Sequence, residues 1–253
     1  MPLYPPAVQT VMDPWSTHDC RLDWVDTTTI KLSRFGGQWL MINGVRCVIP
    51  VNGLTLNVSA LNGNYYIYVR RTGNAVTTLA AAAGSYANDN FGMPCLNSDG
   101  EATMVGMAYV GGGGMVHAGY VCSYWNRKQF VRTSPMVTGS HGSTTPIYLA
   151  SNELNIVFTT FANEVYEQFC CGTAWGLDVA GLIVYIQADM NNTRLGWYSA
   201  VCPRYAGWYA PITQKVAVPA PGDGAHNASI QTWVNAPGYT AQWQLVNGLR
   251  WLA

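Results

Sequence analysis

The run Met104-Val105-Gly106-Met107-Ala108-Tyr109-Val110, then Gly111-Gly112-Gly113-Gly114, then Val121-Cys122-Ser123-Tyr124-Trp125-Asn126-Arg127 decides the fold class. Two apolar and aromatic runs flank a segment that opens on consecutive glycines. Glycine reaches positive φ without steric cost, so the block interrupts any regular element. Rings and β-branched residues on both sides of such a break describe two strands returning on each other. Met104 to Arg132 therefore reads as a hairpin-like unit of an all-β domain, and the composition changes after Arg132.

Upstream, strand signals begin at Cys20. Arg21–Val25 and Thr29–Phe35 alternate polar and apolar, the period of a half-buried strand. Trp39–Ile42, Asn43-Gly44 and Val45–Ile49 form the clearest hairpin, because Asn-Gly supplies the two positive-φ residues of a type I′ turn. Leu54–Val58, the aromatic run Tyr65–Arg71 and Val76–Leu79 continue the pattern, and residues 84–100 read as a loop. Residues 1–19 hold Pro2, Pro5, Pro6 and Pro14. Proline removes backbone donors and favours extended structure, so this segment is expected to be an extended arm. Tyr4, Val8, Val11, Met12 and Trp15 are its apolar anchors and candidate attachment residues.

Downstream, residues 133–147 are dominated by Gly, Ser, Thr and Pro and read as a linker. The β pattern then resumes. Leu154–Thr159 alternates, Leu182–Ala188 is a nearly continuous apolar run, and Ser229–Val234 and Tyr239–Val246 alternate again. Asp189-Met190-Asn191-Asn192 and Ala220–Gly224 are turns. Short strands at this spacing suggest a sandwich or jelly roll. The expected organisation is all-β: an arm at 1–19, a β domain at 20–132, a linker at 133–147 and a β-sandwich domain at 148–253.

Charged residues make up 10% of the 253 residues and the formal net charge is zero, against about 25% charged in an average soluble protein. Without a basic patch, nucleic acid is not an expected partner. The chain has no apolar run near the ~20 residues of a membrane span. Uncharged surface tends to be covered by other subunits, which points to self-association. Seven cysteines with irregular spacing and no C-x-x-C pair argue against a zinc ribbon or redox motif. Met1–Pro6 lacks the basic segment and apolar core of a secretory signal, so reduced, mostly buried thiols are expected rather than a disulfide framework.

No residue pattern demands an enzyme, a cofactor or a metal. Ser140-His141 places a hydroxyl beside an imidazole but without an orienting carboxylate nearby in sequence. His18-Asp19-Cys20 offers ligand types, yet a metal site needs three or four converging ligands. Gly111–Gly114 lacks the Lys-Ser/Thr ending of a phosphate loop and reads as conformational. Asn57, Asn191 and Asn227 open Asn-x-Ser/Thr triplets that read as ordinary strand and turn residues. Aromatics crowd the C-terminal part: Trp197, Tyr198, Tyr205, Trp208, Tyr209, Trp233, Tyr239 and Trp243. Rings with a polar edge suit both subunit interfaces and sugars. Trp197, Tyr198, Trp208, Tyr209 and Trp233 are therefore candidate glycan-binding residues.

With these strands placed, Arg21–Arg132 resembles a module of tail and head accessory proteins of tailed bacteriophages. Tyr65-Tyr66-Ile67-Tyr68-Val69 is similar to its DVFVY-like strand, and Met104–Tyr109 to its YLGTIRT-like strand. Tyr120–Arg127 is similar to its closing NYYNR strand. The four-glycine loop departs from the module. The resemblance implies a non-enzymatic structural role in a virion, made in a bacterial cytoplasm. It also implies a homotrimeric fibre, spike or capsid decoration with other virion proteins as partners. A host-glycan-binding fibre module is the alternative.

Overall fold

The computed structural model describes residues 18–89, 91–96, 99–126, 131–148, 154–162, 164–176, 181–202 and 208–252. The described residues are built mainly from β-strands and turns, with a short 3-10 turn at Ala118–Tyr120. The chain divides into two compact units, Met1–Lys128 and Gln129–Ala253.

The first unit contains β1 (Cys20–Asp26), β2 (Thr29–Arg34), β3 (Trp39–Ile42), β4 (Val45–Val48), β5 (Leu54–Asn57), β6 (Gly63–Thr72), β7 (Ala75–Ala82), β8 (Tyr86–Asn88), β9 (Pro94–Leu96), β10 (Asp99–Val110) and β11 (Val121–Ser123). A three-stranded sheet runs β1-β2-β5 and a larger one β3-β4-β7-β6-β10-β9-β8, with β11 on β10. One apolar core serves both, formed by Ile30, Leu32, Leu40, Ile67, Val105, Val110 and their neighbours. The Asn43-Gly44 hairpin forms as read, with φ of 51° and 69° joining Ile42 directly to Val45. The four-glycine loop also returns as read, since Met107 pairs Cys122 across β10 and β11. Gly114 has φ of +72° and its backbone lies against Ser59, where an added Cβ would fall 1.9 Å from the Ser59 carbonyl oxygen. Both conditions demand glycine. The segment 84–100, expected as a loop, instead contains the β8–β9 hairpin and the start of β10.

The two ends of the described part of this unit, His18 and Asn126, meet. Asn126, at φ +47°, donates from Nδ2 to the carbonyls of His18 and Cys20. The His18 ring stacks on Trp125 with centroids 3.9 Å apart. Asp19 accepts from the Trp39 and Phe35 amides and donates to the Trp39 carbonyl. His18 and Asp19 thus belong to the β unit and not to the arm. Tyr4, Val8, Val11, Met12 and Trp15 lie outside the described residues.

The second unit contains β12 (Val131–Thr133), β13 (Val137–His141), β14 (Ile147–Tyr148), β15 (Ile156–Thr160), β16 (Val165–Gly176), β17 (Val184–Met190), β18 (Thr193–Arg194), β19 (Ser199–Val201), β20 (Ala210–Pro219), β21 (Gly224–Val234) and β22 (Ala241–Trp251). One sheet runs β12/β13-β22-β16-β20, the other β14/β15-β21-β17-β18/β19. Counting each broken pair as one strand gives eight antiparallel strands in sequence order B to I, arranged B-I-D-G and C-H-E-F. That is the jelly roll, two Greek keys folded face to face. The expected linker at 133–147 is corrected: it carries β13, β14 and the end of β12, the first strands of the sandwich, and the boundary falls before Val131. Its small residues have packing reasons. Gly139 sits opposite Trp243, and a Cβ there would lie 2.2 Å from the indole.

Inside the sandwich, Asn247 of β22 and Gln168 of β16 are both fully buried. Gln168 donates to Asn247 Oδ1 at 3.2 Å and to the Ser229 carbonyl at 2.7 Å. Asn247 Nδ2 donates to the carbonyls of Leu154 and Ala228 at 2.8 and 3.0 Å. Its amide donates to Ser134 Oγ. Gln168 Oε1 has no hydrogen-bond partner, but the other polar atoms of the pair do, and removing Asn247 strands those partners at about 1–3 kcal/mol apiece. Asn247→Leu is therefore expected to destabilise the second unit by about 3 kcal/mol or more. Urea unfolding followed by the fluorescence of that unit checks it, and a midpoint equal to the wild type refutes it.

Candidate functional site

The outer face of the β17–β21 pair carries three cross-strand rows: Tyr185 with Trp233, Gln187 with Gln231, and Asp189 with Ser229. Side chains of period two place all six on one face. Tyr185 and Trp233 stack with centroids 5.1 Å apart and planes 11° from parallel. Tyr198 meets both edge-on, at 5.1 and 5.5 Å. Stacked and edge-to-face pairs are the favoured ring geometries and add about 0.5–1.5 kcal/mol each beyond area burial.

Beside the rings, the polar rows are closed on themselves. Asp189, wholly buried, accepts from Ser229 Oγ, from Gln231 Nε2 at 3.0 Å and from the Asn192 amide. Gln231 Oε1 accepts from Arg194 Nε at 3.0 Å. Asn191 and Asn192, at φ 51° and 66°, form the two-residue turn that brings Arg194 opposite Asp189, as the sequence suggested.

The segment after β18 is fixed to the sheet at three points. Leu195 donates its amide to the Ala188 carbonyl at 2.9 Å. Gln187 Nε2 donates to the Gly196 carbonyl at 2.9 Å, and Gln214 Nε2 to the Trp197 carbonyl. Gln214 Oε1 accepts in turn from the Ala188 amide. The result is an indole displayed on a held backbone: Trp197 is 89% exposed, with Tyr198 at 50%, Trp208 at 62% and Tyr209 at 63%.

The five candidate glycan residues divide accordingly. Tyr198 and Trp233 come together, joined by Tyr185, which the sequence reading missed. Trp197 stands next to them in sequence. Tyr209 packs instead on Trp175, centroids 4.3 Å apart. Trp243 is core, and Tyr205 lies outside the described residues. Tyr185 was hidden because its strand reads as a continuous apolar run. Only the register with Trp233, 48 positions on, turns it outward beside a second ring.

The structure places the other candidates apart. Ser140 and His141 are successive residues of β13 and so point to opposite faces. Neither His141 nitrogen has a hydrogen-bond partner. His18 lies under Trp125 and the Cys20 thiol is pushed far up by burial. Among the described residues, no group of three or more His, Cys, Asp or Glu converges to hold a metal. None of the seven cysteines is joined in a disulfide, and Cys171 and Cys202 are exposed. Among the described residues no helix is long and apolar enough to cross a membrane.

No family model matches the chain, and no curated protein matches it. Among solved structures, the Eiger TNF of S. frugiperda matches at 11% identity and TM-score 0.34, covering 50% of this chain and 94% of that one. The infectious bursal disease virus VP2 subviral particle matches at 13% identity and TM-score 0.31, covering 93% and 67%. The globular domain of zebrafish complement 1qA matches at 11% identity and TM-score 0.29, covering 47% and 94%. Every one of these scores is below 0.5, and none carries weight for function.

His141 and Glu167 on the second unit tie its stability to acid pH. Burial holds the His141 imidazole below its ordinary value of 6.5. The unfolded chain then binds a proton that the folded chain resists, so stability falls as the pH drops through 6.5. Glu167, bridged by Lys215 at 2.8 Å and Arg250 at 2.6 Å, is held below its ordinary 4.5, chiefly by the Lys215 hydrogen bond. Its contribution is complete above 4.5 and is lost as the pH falls through the lowered value. Urea midpoints measured against pH are expected to decline in these two steps. His141→Gln should flatten the upper step and Glu167→Gln the lower. A profile unchanged by either substitution refutes the assignment.

Proposed function

We propose that this protein is a non-enzymatic structural component of a bacteriophage particle. It is an oligomeric surface accessory, a fibre, spike or capsid decoration, attached through its N-terminal arm. The observation that carries the reading is the exposed aromatic surface around Trp197, Trp208 and Tyr209 on a jelly roll, in a chain of which only 10% of the residues are charged. Exposed apolar patches mark contacts with other proteins. Jelly rolls serve both as virion building blocks and as lectins, and fold alone does not choose between them. The resemblance of the 65–69, 104–109 and 120–127 segments to the phage module favours the virion, and with it a homotrimer.

In this reading, the proline-rich arm docks on a neighbouring subunit or another virion protein. Proline keeps the arm extended and lowers the entropy lost on docking. Val8–Met12 contains no proline and is free to add to a sheet edge. A chain lacking residues 1–15 is expected to fold and to keep the melting temperature of the full chain. It should stay in solution when particles are assembled. Incorporation at the normal level refutes the attachment role.

The Tyr185–Tyr198–Trp233 cluster favours a second reading, a host-glycan-binding module. It requires sugar retention that is lost on Trp233→Ala.

A further inference from the structure

We propose that Arg194, with the rings of Tyr198 and Trp233, forms a binding site for an acidic sugar, a saccharide that carries a carboxylate. The inference rests on the glycan-binding reading above and names the class of glycan.

The site is built up from a buried acid. Asp189 is wholly buried and accepts from Gln231 Nε2 at 3.0 Å. That bond fixes which end of the Gln231 amide is which, and its Oε1 accepts from Arg194 Nε at 3.0 Å. Gln231 is itself buried, and the turn at Asn191 and Asn192 sets Arg194 opposite Asp189. The guanidinium is thus anchored through Nε, which leaves its two Nη groups. Arg194 is exposed. Among the described residues, no hydrogen bond or ion pair engages those Nη groups.

The other described cations of this unit are occupied. Lys215 and Arg250 share Glu167, and Arg132 Nη1 donates to the Val157 carbonyl. Arg204 lies outside the described residues. The two Nη groups of an arginine form a planar fork that matches a carboxylate with two parallel hydrogen bonds. A side chain already held at Nε loses little freedom in making them.

The rings indicate what carries the carboxylate. Gln231 and Trp233 are two residues apart on one face of β21, about 7 Å, so the anchored guanidinium and the indole lie within the span of a single sugar unit. Trp233 stacks on Tyr185, and Tyr198 meets both edge-on while remaining 50% exposed. An aromatic face takes the C–H face of a pyranose, and the polar edges of Tyr and Trp take its hydroxyls. A nucleic-acid strand also stacks on rings, but it needs a track of cations along its backbone. Here one anchored cation stands beside the rings, which suits one acidic group on a stacking ring.

A glycan array carrying matched neutral, uronic-acid and sialic-acid oligosaccharides, probed with the full chain, tests this. Acid-bearing glycans are expected to retain the protein and their neutral counterparts to release it. Arg194→Gln should weaken retention by about tenfold or more while far-UV circular dichroism and melting temperature stay unchanged. If Arg194→Gln melts early, Arg194→Lys, which keeps the charge and loses the planar fork, takes its place with a loss in the same direction. Arg46→Gln removes an exposed charge of the first unit and should bind as the wild type. Neutral glycans bound as well as acidic ones, or acidic glycans bound undiminished by the Arg194 substitution, overturn the acidic assignment and leave the glycan-binding module standing. An equal loss in Arg46→Gln assigns retention to bulk charge and overturns it as well. An array that retains no protein at all overturns both readings.

Discussion

The hydrogen-bonded pair of Gln168 and Asn247 is the constraint on which the second unit turns. Along β16 the inward residues are Tyr166, Gln168 and Cys170; along β22 they are Leu245, Asn247 and Leu249. The polar pair thus separates two apolar clusters, one containing Cys170 and Leu245, the other Tyr166 and Leu249. A slip of β22 by two residues would keep the alternation of faces and still carry Asn247 into one of the apolar clusters. Alternation alone leaves such slips open. A buried amide that must find named carbonyls closes them, at a high cost if any member is left unpaired. The carbonyls of Leu154, Ala228 and Ser229 belong to segments of the facing layer, so the pair sets the alignment of both sheets at once.

The outer face follows the same logic with a different result. Once β17 and β21 are in register, Asp189, Ser229, Gln187 and Gln231 form a row that is buried although it faces away from the core. The 191–197 segment covers it, held by the amides it covers. Side-chain amides here act as fasteners between a loop and a sheet, and the rings beyond them stay in the open. Local rigidity and surface exposure of large rings thus have one cause.

Much of the fold was legible because turn chemistry is local. Asn43-Gly44, Asn191-Asn192 and the glycine block each required positive φ, and the structure supplies it there. The all-β class followed from alternation. The segment 133–147 was misread because composition was taken as the signature of a connector. Its Ser134 and Gly139 are small or polar for the sake of partners more than a hundred residues away, Asn247 and Trp243. The 84–100 hairpin was missed because its strands are three residues long and bounded by turn residues. The ring cluster was half legible. Trp233 and Tyr198 stood out as aromatics, but Tyr185 joins them only through pairing across β17 and β21, which no local pattern encodes.

The clamp of Asn126 on His18 and Cys20 has a further consequence. It brings the first and last described residues of the first unit, His18 and Asn126, to one spot, with the stacked rings of His18 and Trp125 as its floor. A unit whose ends coincide is a cassette: it can be spliced into a loop of an unrelated chain, or cut open elsewhere and rejoined, without unthreading its sheets. Exchange of whole β modules between proteins needs such a boundary. Here two hydrogen bonds from a single left-handed asparagine supply it.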